Sequence, residues 1–198
     1  YRMIKAVIFD LNGVFIHSPK LSDRFLTDFG VPTEAFLPRL SEIMDKVRRP
    51  DAGSSFQYWK PALEEWHIDL SEDEFWKYWF EAEIPSIEMI DLAKSLKDRG
   101  LKIITLSNNF RERAEYYGHY PWMLEVVDKA YFSWQTGLVK PDVEAWKLVL
   151  KDFSLQGSEC IYVDDQEKNL KVAESLGIQA FSFVSVEDTK REIESLIP

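Results

Sequence analysis

The chain holds one cysteine, Cys160, among 198 residues. A lone thiol cannot close an internal disulfide, and it gives no sign of an oxidising compartment. It lies in Cys160-Ile161-Tyr162-Val163, where a small buried hydrophobe in a strand accounts for it. No apolar run approaches the ~18 residues a membrane-spanning helix needs. No secretory leader is visible, and Met3, behind Tyr1-Arg2, is the expected native start. A cytoplasmic location with no membrane partner is therefore expected. Basic residues are in deficit, with 24 Lys and Arg against 34 Asp and Glu, a formal net charge of -10. Binding a nucleic acid needs a basic surface that releases counterions, so none is expected as a partner. Internal repeats and low-complexity tracts are also missing.

What is present is an alternation of apolar strands and amphipathic helices. Ile4 to Phe9 is a continuous apolar run, the pattern of a strand buried on both faces. From about residue 100 onward, the segments Leu101–Leu106, Ala130–Phe132, Cys160–Val163 and Gln179–Val184 read as strands. Helical patterns over Ser86–Arg99, Asp142–Asp152, Glu167–Leu176 and Glu187–Leu196 separate or follow them. Gly100 and Gly177 each stand between a helix and a strand, where a left-handed stop is needed. The alternation predicts an α/β fold with a parallel sheet covered by helices on both faces. Residues 17–88 differ, because no strand is legible there. Ser22–Phe29, Thr33–Val47, Phe56–Trp66 and Ser71–Ala82 each fit an amphipathic helix, and Ser71 to Glu74 forms a capping box. A four-helix insert of roughly 70 residues is too small to be counted on as an independent fold. It is expected to pack as a cap (17–88) on a core built from 1–16 and 89–198.

Three predicted strand ends and the approach to one helix carry polar residues. Asp10, Asn12 and Gly13 follow the first strand, and Ser107-Asn108-Asn109 follow the next. Asp164-Asp165 follow the Cys160 strand, and Lys140 precedes a helix in Leu138-Val139-Lys140-Pro141-Asp142. Ligands of open α/β sheets bind beyond the carboxyl ends of the strands. Each residue alone has an ordinary explanation: strand-end carboxylates cap helices, and acids favour a helix's first turn. Together they offer oxygen ligands for Mg²⁺, a hydroxyl and a lysine for phosphate, and a carboxylate nucleophile. That is a kit for phosphoryl transfer.

The run Phe9-Asp10-Leu11-Asn12-Gly13-Val14 resembles the first signature of the haloacid dehalogenase superfamily, usually Asp-x-Asp-Gly-Val/Thr. The order of the later segments resembles that superfamily too, over essentially the whole chain. Response-regulator receiver domains carry a similar kit, but with the acidic pair first. The resemblance implies a Rossmann-like core with strand order 5-4-1-2-3 and Mg²⁺ as cofactor. It implies Asp10 as nucleophile and metal ligand, the Asn12 carbonyl as a further metal ligand, and Asp165 with its partner Asp164 completing the metal set. Ser107, Asn108 and Lys140 take the phosphate-binding roles, and Asn169 braces the acids. The helical insert resembles the C1 cap of the subgroup with small sugar phosphatases and 2-haloacid dehalogenases. Phe132 to Asp142 and Val163-Asp164-Asp165 look most like that subgroup's phosphatases. A small phosphorylated metabolite, of sugar-phosphate class, is the expected partner, and the protein a monomer or homodimer.

The chain departs from the pattern at Asn12, where the family's second aspartate protonates the leaving oxygen and activates water. An amide does neither, and losing general acid–base help costs about 10²–10⁴ in rate. Three readings follow: a slow phosphatase using another acid, a non-catalytic phosphometabolite binder, or an engineered substitution. Dehalogenation ranks below these, since dehalogenases usually carry tyrosine at the corresponding place. His17 is the histidine placed to supply a replacement acid. Of seven tryptophans, Trp76 and Trp79 share a helical face and are expected in packing. Trp59, just after Gly53-Ser54-Ser55, is the one set against substrate. Arg48 and Arg49 read as a solvated helix end, with a substrate's charged end as the alternative contact.

Overall fold

The computed structural model describes residues 3–197. In chain order its elements are β1 (Ala6–Phe9), β2 (Ile16–His17), α1 (Leu21–Phe29), α2 (Thr33–Val47), α3 (Phe56–Glu65), α4 (Glu72–Phe80) and β3 (Ile84–Pro85). There follow α5 (Ile87–Asp98), β4 (Lys102–Ser107), α6 (Arg111–Gly118), α7 (Pro121–Glu125), β5 (Lys129–Phe132) and α8 (Ser133–Thr136). The chain closes with α9 (Val143–Asp152), β6 (Cys160–Asp164), α10 (Glu167–Ser175), β7 (Gln179–Ser182) and α11 (Val186–Leu196).

Five strands form one parallel sheet in the order β5-β4-β1-β6-β7. Numbering those five alone along the chain, and starting from the β7 edge, the order reads 5-4-1-2-3 with β1 central. Side chains alternate across the sheet. Val7 and Phe9 face a cluster with Met89 and Leu92 of α5, Trp122 of α7 and Ile193 of α11. Ala6 and Ile8 face Ala145, Trp146 and Val149 of α9 with Leu170 and Ala173 of α10. Burial on both faces is why β1 and β6 are apolar throughout up to their polar ends. Each large side chain so buried contributes about 1.5–3 kcal/mol.

The insert, α1 to α4, has its own core of Phe25, Phe36, Trp59, Phe75 and Trp79. Phe110, at the start of α6, joins that cluster and seats the insert on the sheet domain. Trp76 stacks on Phe80 at 5.4 Å, and Trp59 meets Trp79 edge to face at 5.5 Å. The Ser71 capping box forms as expected.

Three expectations need correction. The stretch 17–88 is not strand-free: β2 and β3 pair antiparallel, Ile16 with Pro85 and His17 with Ile84, where the chain enters and leaves the insert. Two residues are too few to show a period of two. The last strand stops at Ser182 rather than Val184. α6 and α7 were not foreseen, because each buries only two residues.

Candidate active site

β1, β4 and β6 deliver Asp10, Ser107 and Asp164 to one end of the sheet, and the loop before α9 brings in Lys140. All four side chains are buried. Asp10 Oδ1 accepts the Leu11 backbone N–H at 2.7 Å and lies 3.1 Å from Lys140 Nζ. The same ammonium donates to Asp164 Oδ2 at 2.7 Å and to the Tyr162 hydroxyl at 3.1 Å. A buried cation between two buried carboxylates offsets a desolvation cost that none of the three could bear alone.

Asp164 is held from every side. Its Oδ2 also accepts from Tyr162 and, at 2.9 Å, from Asn169 Nδ2, while Oδ1 accepts the Gln166 N–H at 2.8 Å. Asn169 thus braces the acid as expected. Burial works against the Asp164 charge, but the Lys140 ammonium and these donors outweigh it and hold the carboxyl below its ordinary range. Asp10 has fewer donors. Burial pushes it up to about 6, with the Lys140 charge opposing and Asp164 reinforcing. Burial, then the Asp164 charge, raises Asp165 as well. Carboxylate oxygens of Asp10, Asp164 and Asp165 lie within 4.8 Å of one another. Three hard oxygen donors, two of them with raised proton affinity, suit Mg²⁺. Gly13 makes room for this cluster. Its φ is +87°, and a Cβ there would lie 2.6 Å from Asp165 Oδ2.

A cavity of about 220 Å³ opens over these groups. Asp10, Asn12, Ser107, Asn108 and Lys140 line it, together with Arg48, Arg113, Gln166, Lys168 and Asn169. Asp10 is the one carboxylic acid in that lining. Asn108 lines the cavity, but its side chain is committed elsewhere. Nδ2 donates to the Lys140 carbonyl at 2.8 Å, and Oδ1 accepts the Lys140 N–H at 2.7 Å. Its side chain therefore positions Lys140.

Two further expectations fail on placement. Trp59 is fully buried among Phe36, Phe75 and Trp79 and does not line the cavity. The aromatic density of the insert draws it into that core. His17 stacks against Phe183 at 5.8 Å and is likewise outside the lining, so it supplies no acid there. Arg48 does the opposite of what was expected, entering the cavity instead of ending a helix in solvent.

Sequence reasoning missed Tyr162, although its spacing two residues before Asp164 puts both on one strand face. It also missed Glu83, Arg113 and Tyr117. The Glu83 carboxylate accepts from both Arg113 and Tyr117. Arg113 and Tyr117 are four apart on α6, a signal that needs the helix to be recognised first.

A family model for haloacid dehalogenase-like hydrolases matches residues 4–177. The chain belongs to that family. Among known proteins, it is 27% identical over 215 residues to acyl-CoA dehydrogenase family member 10 of Mus musculus, covering 99% of this chain and 19% of that protein. It is 28% identical over 117 residues to a sesquiterpene phosphatase of Aspergillus oryzae, covering 57% and 58%. The chain therefore spans less than two thirds of these curated relatives. Among solved structures, a HAD family enzyme of Bacteroides thetaiotaomicron superposes with a TM-score of 0.82 at 21% identity, covering 97% of this chain and 99% of the other. A further structure of that enzyme is a complex with magnesium and inorganic phosphate, with a TM-score of 0.73 at 22% identity, covering 90% and 93%. At such identity the likeness is one of fold.

Proposed function

We propose that the protein is a Mg²⁺-dependent phosphomonoester hydrolase acting on a small phosphorylated metabolite of the sugar-phosphate class, through an aspartyl-phosphate on Asp10. The observation that carries this reading is the buried Asp10 carboxylate, 3.1 Å from Lys140 Nζ and within 4.8 Å of two further carboxylates. Asp10, Asp165 and the Asn12 carbonyl would hold the ion, with Asp164 anchored behind them. When bound, Mg²⁺ supplies charge neutralisation for the phosphoryl oxygens and for the nucleophile.

The chain's own groups then have assignable work. Lys140 keeps Asp10 ionised against burial and offsets charge on the transferring phosphoryl group. Ser107 is buried at the end of β4, lines the cavity and offers a hydroxyl to one phosphoryl oxygen. Asn108 fixes the backbone of Lys140, and Tyr162 with Asn169 fixes Asp164. The insert acts as a cap, closing over the site to exclude water. Apart from the nucleophile Asp10, no carboxylic acid among the described residues lines the cavity to protonate a leaving oxygen, so substrates with good leaving groups are favoured. Phosphate release from p-nitrophenyl phosphate, dependent on Mg²⁺ and lost in Asp10→Asn, is the expected result. Release that survives Asp10→Asn contradicts the mechanism.

One observation favours a second reading, a non-catalytic phosphometabolite binder. Asn12 is not a lone mismatch, because both ends of its amide are hydrogen-bonded to neighbouring side chains. A binder would take up phosphate ligands with Mg²⁺ and release no inorganic phosphate.

A further inference from the structure

The insert places one side chain in the cavity lining, and it is a cation. Arg48, the residue that ends α2, is the one lining residue drawn from α1 to α4 and their loops. Its Nε is buried without a hydrogen-bond partner, and no ion pair among the described residues includes it. The charges that act on it are Asp45, one turn back, and Arg113, a second cation of the same lining, which repels it. Arg113 is itself half committed. One terminal nitrogen is bound to Glu83, while its Nε is buried and unpartnered. Lys140, by contrast, is already satisfied by Asp10, Asp164 and Tyr162.

Arg113 has Glu83 as its counter-ion, but Arg48 has no ion-pair partner among the described residues, and a partly buried guanidinium with an unmet donor beside a second cation is an unstable arrangement until an anion joins it. Guanidinium forks match carboxylate and phosphate geometry. The transferring phosphoryl group would already have Ser107, Lys140 and any cation held by Asp10 and Asp165 to meet it. We infer that the substrate carries a second anionic group, a carboxylate or a second phosphate, which Arg48 receives with Arg113 beside it. The inference rests on the phosphomonoesterase reading for the first anion, and it narrows the substrate class to compact phosphomonoesters that carry a second anionic group. The cavity, about 220 Å³, suits a molecule of a few carbons.

Unreactive probes separate this claim from catalysis. Phosphonoacetate and methylphosphonate differ by one carboxylate, and neither is hydrolysed. With Mg²⁺ present, titration calorimetry should show wild type binding phosphonoacetate about 10–100-fold more tightly, the range of one charge-assisted contact. Arg48→Met should erase that gap, and Arg48→Lys should restore part of it. Equal affinity of wild type for the two probes, with no preference for a bisphosphate over its monophosphate either, overturns the proposal, whatever the variants do. A loss in Arg48→Met that is the same for both probes also overturns it, since Arg48 would then serve the first anion. In turnover, phosphoglycolate should exceed 2-hydroxyethyl phosphate in kcat/KM by a similar ratio, and a bisphosphate paired with its monophosphate reads the alternative second anion. Hydrolysis of p-nitrophenyl phosphate with no preference in either probe pair overturns the second anionic group and leaves the phosphatase standing. Preference in binding without any hydrolysis supports the anion subsite and removes the phosphatase.

Discussion

The Asn12 amide donates to the hydroxyl of Tyr117 at 2.6 Å. That phenol has one proton, and it goes to the buried carboxylate of Glu83. Tyr117 therefore meets residue 12 as an acceptor and needs a donor there. On the other side, Asn12 Oδ1 accepts from Asn109 Nδ2 at 2.9 Å. A side chain with both a donor and an acceptor fits this position, and an aspartate does not. The amide at residue 12 is part of a chain of contacts running from Asn109 to Arg113 through Tyr117 and Glu83.

Asn12→Asp should accordingly separate activity from stability. A carboxylate at residue 12 would supply the missing acid and base, raising turnover of alkyl phosphates by ~10²–10⁴. It would also leave one Tyr117 proton facing two carboxylates. That unmet contact should lower stability by about 1–3 kcal/mol, read by denaturant unfolding without Mg²⁺. A variant as stable as wild type would show that the Tyr117 contact does not discriminate. A variant no more active would place proton transfer elsewhere.

Asp10 makes the pH dependence of the metal-free protein predictable. Its carboxyl is pushed from 3.8 up to about 6 by burial. Below pH 3.8 it is protonated folded and unfolded, and contributes nothing. Between the two values the native state keeps a proton that the unfolded chain releases, so stability falls as pH rises. At pH 8 the whole penalty is present, on the order of 3 kcal/mol from a shift of this size. Asp10→Asn should thus unfold at higher denaturant than wild type at pH 8, and the gap should close as pH falls toward 4. Adding Mg²⁺ should stabilise wild type and have little effect on the variant. A pH-independent gap contradicts the burial argument.

Gly13 and Asp165 form one unit. Asp165→Ala should abolish Mg²⁺ binding measured by calorimetry. Gly13→Ala should weaken it at least tenfold, because the new methyl meets Asp165 Oδ2 at 2.6 Å on a backbone with φ of +87°. Unchanged Mg²⁺ affinity in either variant would remove Asp165 from the metal site.

The insert is tied to α6 at a second place. Ser55 donates to Glu112 through its backbone N–H at 2.9 Å and its hydroxyl at 2.6 Å. Glu112→Ala should release the 49–55 loop and, with it, the closed position of the insert. Hydrogen exchange should rise in that loop and at the crossings near residues 15–19 and 84–88. Protection unchanged at all three places contradicts a cap that moves on those crossings.

The sheet was legible because its strands are apolar runs ending in polar residues, and the end of a strand is where an α/β fold puts chemistry. Asp10, Ser107 and Asp164 could be named from that pattern alone, and Lys140 from its place just before a helix in the same order of segments. Arg48 could not, since a basic residue at a helix end has the same local signature whether it enters a cavity or solvent. Trp59 misled for a related reason: its neighbouring glycine and serines suggested a loop at the site, while its partners Phe36, Phe75 and Trp79 are distant in sequence. The network of Glu83, Arg113 and Tyr117 depends on a β-crossing two residues long and on a largely polar helix. Neither carries enough periodicity to be read before the fold is seen.

The central claim is that Asp10 receives the phosphoryl group and that, without an acid at residue 12, its release is slow. Rapid-quench kinetics with p-nitrophenyl phosphate and Mg²⁺, combined with intact-protein mass spectrometry, tests it directly. The account predicts a burst of p-nitrophenolate close to one equivalent of protein, and a mass increase of one phosphoryl group on Asp10 that is missing in Asp10→Asn. Steady phosphate release with no burst and no covalent adduct, or an adduct that persists in Asp10→Asn, would contradict it.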